Sequence, residues 1–187
     1  MKFSDLVSVF SLTLFAILAS SSAFVAQEPS SSRSVRRIGS VKFSVVLQAT
    51  SQDLTPRENN VYELLKELSD SKLPFRIVVV GNGAILESTN TLGPTFKLGK
   101  SPKSGASIVT FASEDQSFEF HLMPAQIASA VLIEKPSPTK EGKTMRLMRF
   151  RNGEGGSICS LILADDSTEA AGWYQSMAAK HGSQVEF

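Results

Sequence analysis

The stretch Ser117–Leu122, SFEFHL, decides how this chain folds. A β-strand sends successive side chains to opposite faces, so Phe118, Phe120 and Leu122 share one side while Glu119 and His121 share the other. One face can bury itself in a core, and the other presents an imidazole. His121 is one of only two histidines in the chain.

Upstream, short apolar runs repeat at close intervals. Phe75–Val80 (FRIVVV) is rich in β-branched residues, Gly81-Asn82-Gly83 has turn chemistry, and Ala84–Ser88 reads as the returning strand. Thr95–Leu98 and Ala106–Ala112 continue the series, and Ser113–Gln116 is a polar turn into SFEFHL. Downstream, Pro124 marks a break or a single helical turn, followed by a strand over Ala128–Glu134. Thr144–Phe150 alternates so that Met145, Leu147 and Arg149 lie opposite Arg146, Met148 and Phe150. RNGEGG (151–156) is a hairpin loop, and Ser157–Ala164 returns.

Two helices bracket the strands. Thr55-Pro56-Arg57-Glu58 has capping-box spacing with proline at the first helical position, and Val61, Leu64, Leu65 and Leu68 form an apolar stripe. Near the C-terminus, Asp166 and Glu169 have the same spacing, and Ala170, Trp173, Tyr174 and Met177 form a stripe that stops at Lys180-His181-Gly182. The expected fold is α+β: a large twisted, mostly antiparallel sheet of about eight strands carrying an N-terminal and a C-terminal helix.

Composition narrows the function. The 187 residues, 42% hydrophobic, suit one modest domain with an appendage. Five of the 19 basic residues and two of the 18 acidic ones precede residue 52, leaving 14 against 16, so the domain is no electrostatic match for nucleic acid. A single cysteine excludes an intramolecular disulfide, and one cysteine with two histidines excludes a zinc-finger ligand set. Cys159 in its apolar strand reads as a buried thiol, His181 as a cation at the carbonyl end of a helix, and GNGAILES as a hairpin and not a phosphate loop.

The first 51 residues read as an address. Residues 1–23 have the layout of a secretory signal: Lys2, an apolar run over Leu6–Leu18, and small residues ending at Ala23. That run is short and interrupted by Ser8, Ser11 and Thr13, so the mature domain is not expected to span a membrane. Residues 24–51 are rich in serine, carry Arg33, Arg36, Arg37 and Lys42, and have the single acid Glu28, a transit-peptide composition. With the phenylalanine of SSAFVAQ after the cleavage position, this leader resembles the bipartite plastid-targeting leaders of diatoms and other algae with secondary plastids. It implies delivery to the plastid stroma through the secretory route; the alternative is a secreted protein with a basic linker. The folded domain is then a single unit over 52–187.

His121 on its firmly specified strand can be a structural residue or a ligand. One imidazole is too little for tetrahedral zinc but is enough for an axial haem ligand. FEFHL, the apolar Ile127, the strand to Lys135-Pro136, the hairpin MRLMRFRNGEGGSICSLIL, and the closing helix with Trp173 and Lys180-His181-Gly182 together resemble the haem-utilisation carrier family. The likeness is nearest its small HutX-like and HemS-like half-domains and spans about residues 58–182. It implies haem or a related tetrapyrrole as cofactor, His121 as the metal ligand, a homodimer as an expected assembly, and a non-catalytic carrier role. Arg146 and Arg149 are candidate cofactor-binding residues, because a guanidinium pairs with a propionate carboxylate through two parallel hydrogen bonds. Met123 or Tyr62 is a candidate second ligand. Two alternatives stand beside the carrier: a protein-interaction or assembly module that keeps the fold without a ligand, and a haem-degrading enzyme.

Overall fold

The computed structural model describes Thr50 and residues 53–187. Apart from Thr50, the signal-like and transit-like segments lie outside the described residues.

Helix α1 (Pro56–Asp70) starts as its sequence predicts. Thr55 Oγ1 accepts from the Glu58 amide at 3.3 Å, and the Glu58 carboxylate accepts from the Thr55 amide at 2.9 Å. The Thr55 hydrogen bonds, chiefly that of the backbone, hold the Glu58 carboxyl below the usual carboxylate range. The stripe Val61, Leu64, Leu65 and Leu68 is fully buried.

Eight strands follow the order of the expected runs, β1 (Pro74–Gly81), β2 (Ala84–Thr91), β3 (Thr95–Lys100), β4 (Ser107–Ala112), β5 (Glu119–Leu122), β6 (Ser129–Pro136), β7 (Thr144–Arg151) and β8 (Ser157–Leu163), and a ninth, β9 (Gln184–Glu186), is added after the second helix. All the pairings are antiparallel. They form a six-stranded sheet, ordered β2-β1-β8-β7-β6-β9, and a three-stranded sheet, ordered β3-β4-β5. The α+β fold is thus observed, with its strands divided between two sheets. Within SFEFHL, Glu119–Leu122 forms an edge strand of the smaller sheet.

Helix α2 (Thr168–His181) begins one residue later than its capping-box spacing suggests. Ser167 is the N-cap, accepting from the Ala170 amide at 3.2 Å, while Asp166 is drawn away to Lys140 at 3.2 Å. The helix ends at Gly182, whose φ of 80° is the left-handed value that favours glycine.

One face of the large sheet and the inner face of the small sheet share a single core with both helices. From the large sheet it takes Phe75, Ile77, Ala130, Leu132, Met148, Phe150, Cys159 and Leu161, and from the small sheet Val109, Phe111, Phe120 and Leu122. Full burial of each such side chain contributes about 1.5–3 kcal/mol. Phe111 links the aromatic group, with ring centroids 5.4 Å from Phe96 and 6.0 Å from Phe120. The Tyr174 hydroxyl pins α2 to the large sheet by donating to the Leu147 carbonyl at 2.7 Å. The entry to the small sheet is equally constrained: at Gly93 (φ 75°) a Cβ would lie 2.0 Å from the Ala112 carbonyl oxygen.

Candidate functional site

His121 stands where the alternation of SFEFHL places it. Phe120 and Leu122 are buried, whereas the His121 and Glu119 side chains are 52% and 55% exposed. Across β4 and β5 the register sets His121 opposite Thr110, and Thr110 in turn opposes Lys97 on β3. Thr110 Oγ1 and His121 Nδ1 are hydrogen-bonded at 2.8 Å. The tautomer in which Nδ1–H donates to the hydroxyl leaves the Nε2 lone pair on the exposed side of the ring, 3.6 Å from Glu119 Oε2. An orienting partner on one ring nitrogen and an available lone pair on the other is the arrangement of a metal-binding histidine.

The surroundings of the imidazole are a sheet surface and not a deep cleft. Gly99 opposes Ile108 on the same face, and Met123, half exposed, follows His121 by two residues. This makes a flat apolar area beside the ring, with Lys97 two strands away, roughly 10 Å by strand spacing. The end of β5 is anchored from α1, since Arg57 Nη2 donates to the carbonyls of Ala125 at 2.6 Å and Ile127 at 3.2 Å. Among the described residues no group of three metal-binding side chains converges, so His121 would act as a single protein donor.

The two predicted arginines are not brought to His121. Both lie on β7 of the large sheet, whereas His121 belongs to the small one. Arg146 lies on the helix-covered face, opposite Glu134, and its Nε donates to Glu134 Oε1 at 2.6 Å. Arg149 lies on the opposite face, and its Nε donates to the Ser160 hydroxyl at 3.2 Å. Of the suggested second ligands, Met123 lies just beyond the end of β5, two residues after His121, and is 44% exposed. Tyr62 is packed against Phe96 at 5.1 Å between ring centroids.

The side chains that sequence reading missed are Thr110 and Lys97. Register alone makes them neighbours of His121, and no local pattern announces them.

A cleft of about 650 Å³ lies elsewhere, between α1, the end of α2 and β9. His181 lines it: its Nε2 and Lys180 Nζ each lie 2.9 Å from Glu67 Oε2. Burial pushes the Glu67 carboxyl upward, but the hydrogen bonds from Lys180 and His181 outweigh it and hold the group below its usual range. His181 therefore ties the two helices together as well as sitting in the last turn of α2. Glu63, Asp70, Glu186 and the cation Lys66 also line it, with Lys66 paired to Asp70.

An α+β domain with an oriented, exposed imidazole on a small sheet is the class of protein that fold and site define. Several solved structures are similar to this chain. The heme-binding protein ChuX superposes with a TM-score of 0.51 at 16% identity, over 66% of this chain and 74% of that one. A protein of Erwinia carotovora superposes with a TM-score of 0.50 at 16% identity, over 66% and 73%. Holo-PhuS, a heme-binding protein of Pseudomonas aeruginosa, gives 0.45 at 19% identity, over 64% of this chain and 32% of that one. At this identity the first two likenesses show the fold alone. No protein-family model matches the chain, and no curated protein matches it in sequence.

Proposed function

We propose that this protein is a non-catalytic carrier of haem or a related tetrapyrrole, with His121 as the axial ligand of the metal. The observation that carries the reading is the Thr110–His121 hydrogen bond, which orients the ring and turns Nε2 to the exposed side, 3.6 Å from Glu119 Oε2. Gly99 and Ile108 would lie under the macrocycle, and Lys97 is the nearest cation along the row for a propionate. The fold supports the same reading, because the likeness with the higher TM-score of those compared is to a protein described as heme-binding. Haem, when bound, would supply the iron; the chain supplies the imidazole, the hydroxyl that holds it and the apolar surface. Titration of the full chain with haemin, followed in the Soret region, tests the assignment. We further propose plastid delivery by the leader, tested by fluorescent-protein fusion in an alga with secondary plastids. A homodimer is the proposed assembly, tested by light scattering.

A further inference from the structure

The two sheets end in the edge strands β2, β9, β3 and β5, and the last three are guarded. β9 is three residues long. β5 is four residues long, exposes Glu119 and His121, and is followed closely by Pro124. β3 is preceded by Pro94 and carries Lys97 and Lys100. Short length, proline and charge, lysine above all, keep an edge from pairing with another chain. β2 has none of these guards except one charge, Glu87: its eight residues, AILESTNT, include no lysine, proline or glycine, and its register with β1 runs unbroken from Ala84 to Thr91.

The hairpin fixes which main-chain groups of β2 are free. Gly81 and Ala84 flank the two-residue turn and exchange both hydrogen bonds, and the alternation that follows gives Leu86, Ser88 and Asn90 to β1. The N–H and C=O groups of Ile85, Glu87, Thr89 and Thr91 therefore point outward, and no described strand receives them. Nor does a described element shield the approach, since Ile85 and Leu86 face opposite sides of the sheet and are 67% and 62% exposed. An edge of this length and regularity is completed by another strand.

We infer that the missing strand is β2 of a second copy, paired antiparallel about a twofold axis at Ser88, so that two six-stranded sheets become one continuous sheet. The inference rests on the proposed homodimer and names its surface. Charge and strand length select the register. Outward-pointing residues must meet outward-pointing ones, and an axis at Glu87 would set two carboxylates directly opposite, which opposes pairing. Axes at Leu86 or Thr89 pair only 84–88 or 87–91. The axis at Ser88 pairs 85–91 throughout, with about eight main-chain hydrogen bonds, and places Glu87 opposite Thr89 of the second copy. Because Arg76 opposes Thr89 within each chain, Glu87 enters the row of the second copy's Arg76, about 10 Å away by strand spacing and within reach of a guanidinium. Within one chain Arg76 and Glu87 are diagonal neighbours at 3.9 Å, so each carboxylate gains a second cation.

Sedimentation equilibrium of the full chain and oxidative cross-linking test the assembly and its surface separately. Wild type should sediment as a dimer. Ser88→Cys should cross-link with copper phenanthroline, because residues opposed in a non-hydrogen-bonded pair lie about 4.5 Å apart at Cα, inside the disulfide range. Glu87→Cys should not, since its two copies stand about 8 Å apart. The buried Cys159 takes no part. Thr89→Pro removes an outward N–H and leaves the ladder with β1 whole, so it should raise the dimer dissociation constant about tenfold or more with an unchanged circular dichroism spectrum. A dimer that cross-links through Glu87→Cys, fails to cross-link through Ser88→Cys, or keeps its wild-type strength in a folded Thr89→Pro overturns the β2 surface and leaves the homodimer standing. A wild-type chain that stays monomeric up to about 100 μM overturns both.

Discussion

Arg146 and Arg149 stand three residues apart on one strand and project from opposite faces of the large sheet, the first bonded to Glu134 at 2.6 Å, the second to Ser160 at 3.2 Å. They cannot clamp the same ligand. Arg146 is a structural cation on the helix-covered face, so Arg146→Gln should lower stability by about 1 kcal/mol, as expected of a partly exposed ion pair. Denaturant unfolding measures that loss, and the affinity for haemin should stay at the wild-type value. A weakened haemin affinity in a folded Arg146→Gln would contradict the structural role of Arg146.

Thr110 acts on His121 by orientation. Thr110→Val keeps the shape of the side chain and removes the hydroxyl at 2.8 Å from Nδ1. Haemin affinity should fall about tenfold, the range typical of partners that orient a ligating histidine. The expected change in folding stability is below about 1 kcal/mol, because the hydrogen bond is exposed. Unchanged haemin affinity in this variant would separate Thr110 from the site.

The Glu67 carboxylate, gripped by Lys180 and His181, couples stability to pH. Its folded-state pKa is lowered, so its contribution is present above the unfolded carboxyl value and is lost as pH falls through the folded one. Glu67→Gln should therefore be less stable than wild type at neutral pH, by about 1 kcal/mol or less. The gap should close in acid below the folded pKa. Urea unfolding at several pH values reads this directly; a gap that widens on acidification would reverse the sign.

Burial pushes the Cys159 thiol up to about 12, so at neutral pH it is neither thiolate nor accessible. A thiol reagent should leave the native protein unlabelled and modify the chain once urea unfolds it. Rapid labelling of the folded state would mean that β8 opens locally or is not packed as described.

Gly93 is placed by backbone proximity. With φ at 75° and a Cβ position 2.0 Å from the Ala112 carbonyl oxygen, Gly93→Ala forces the β2–β3 connection away from β4. A loss of about 2 kcal/mol or more is expected from the clash and the strain together. Thermal or denaturant unfolding checks it, and a neutral effect would show that the connection relaxes freely.

Local chemistry made most of the fold legible. The Thr55–Glu58 box, the four-residue apolar stripe of α1, the eight longer strands and the turn at Pro124 all follow from patterns within a few residues. Pairing between distant segments did not. Alternation identifies β1 and β8 as strands, but nothing in either run says that Phe75 will oppose Leu163, and that pairing divides the strands into two sheets. The three-residue β9 was missed because it is too short to show a period and is held by its register with Ala130. The same limit applies to the site. Alternation exposed His121, while Thr110 and Lys97, its neighbours across the sheet, depend on register. The alternation on β7 did separate Arg146 from Arg149, and the structure keeps them on opposite faces.

The most direct measurement is a Soret-region titration of the full chain and of His121→Ala with haemin. The carrier reading predicts a shifted Soret band in wild type that is absent in the variant, with circular dichroism showing the variant folded. An identical shifted band in both would contradict His121 as the axial ligand.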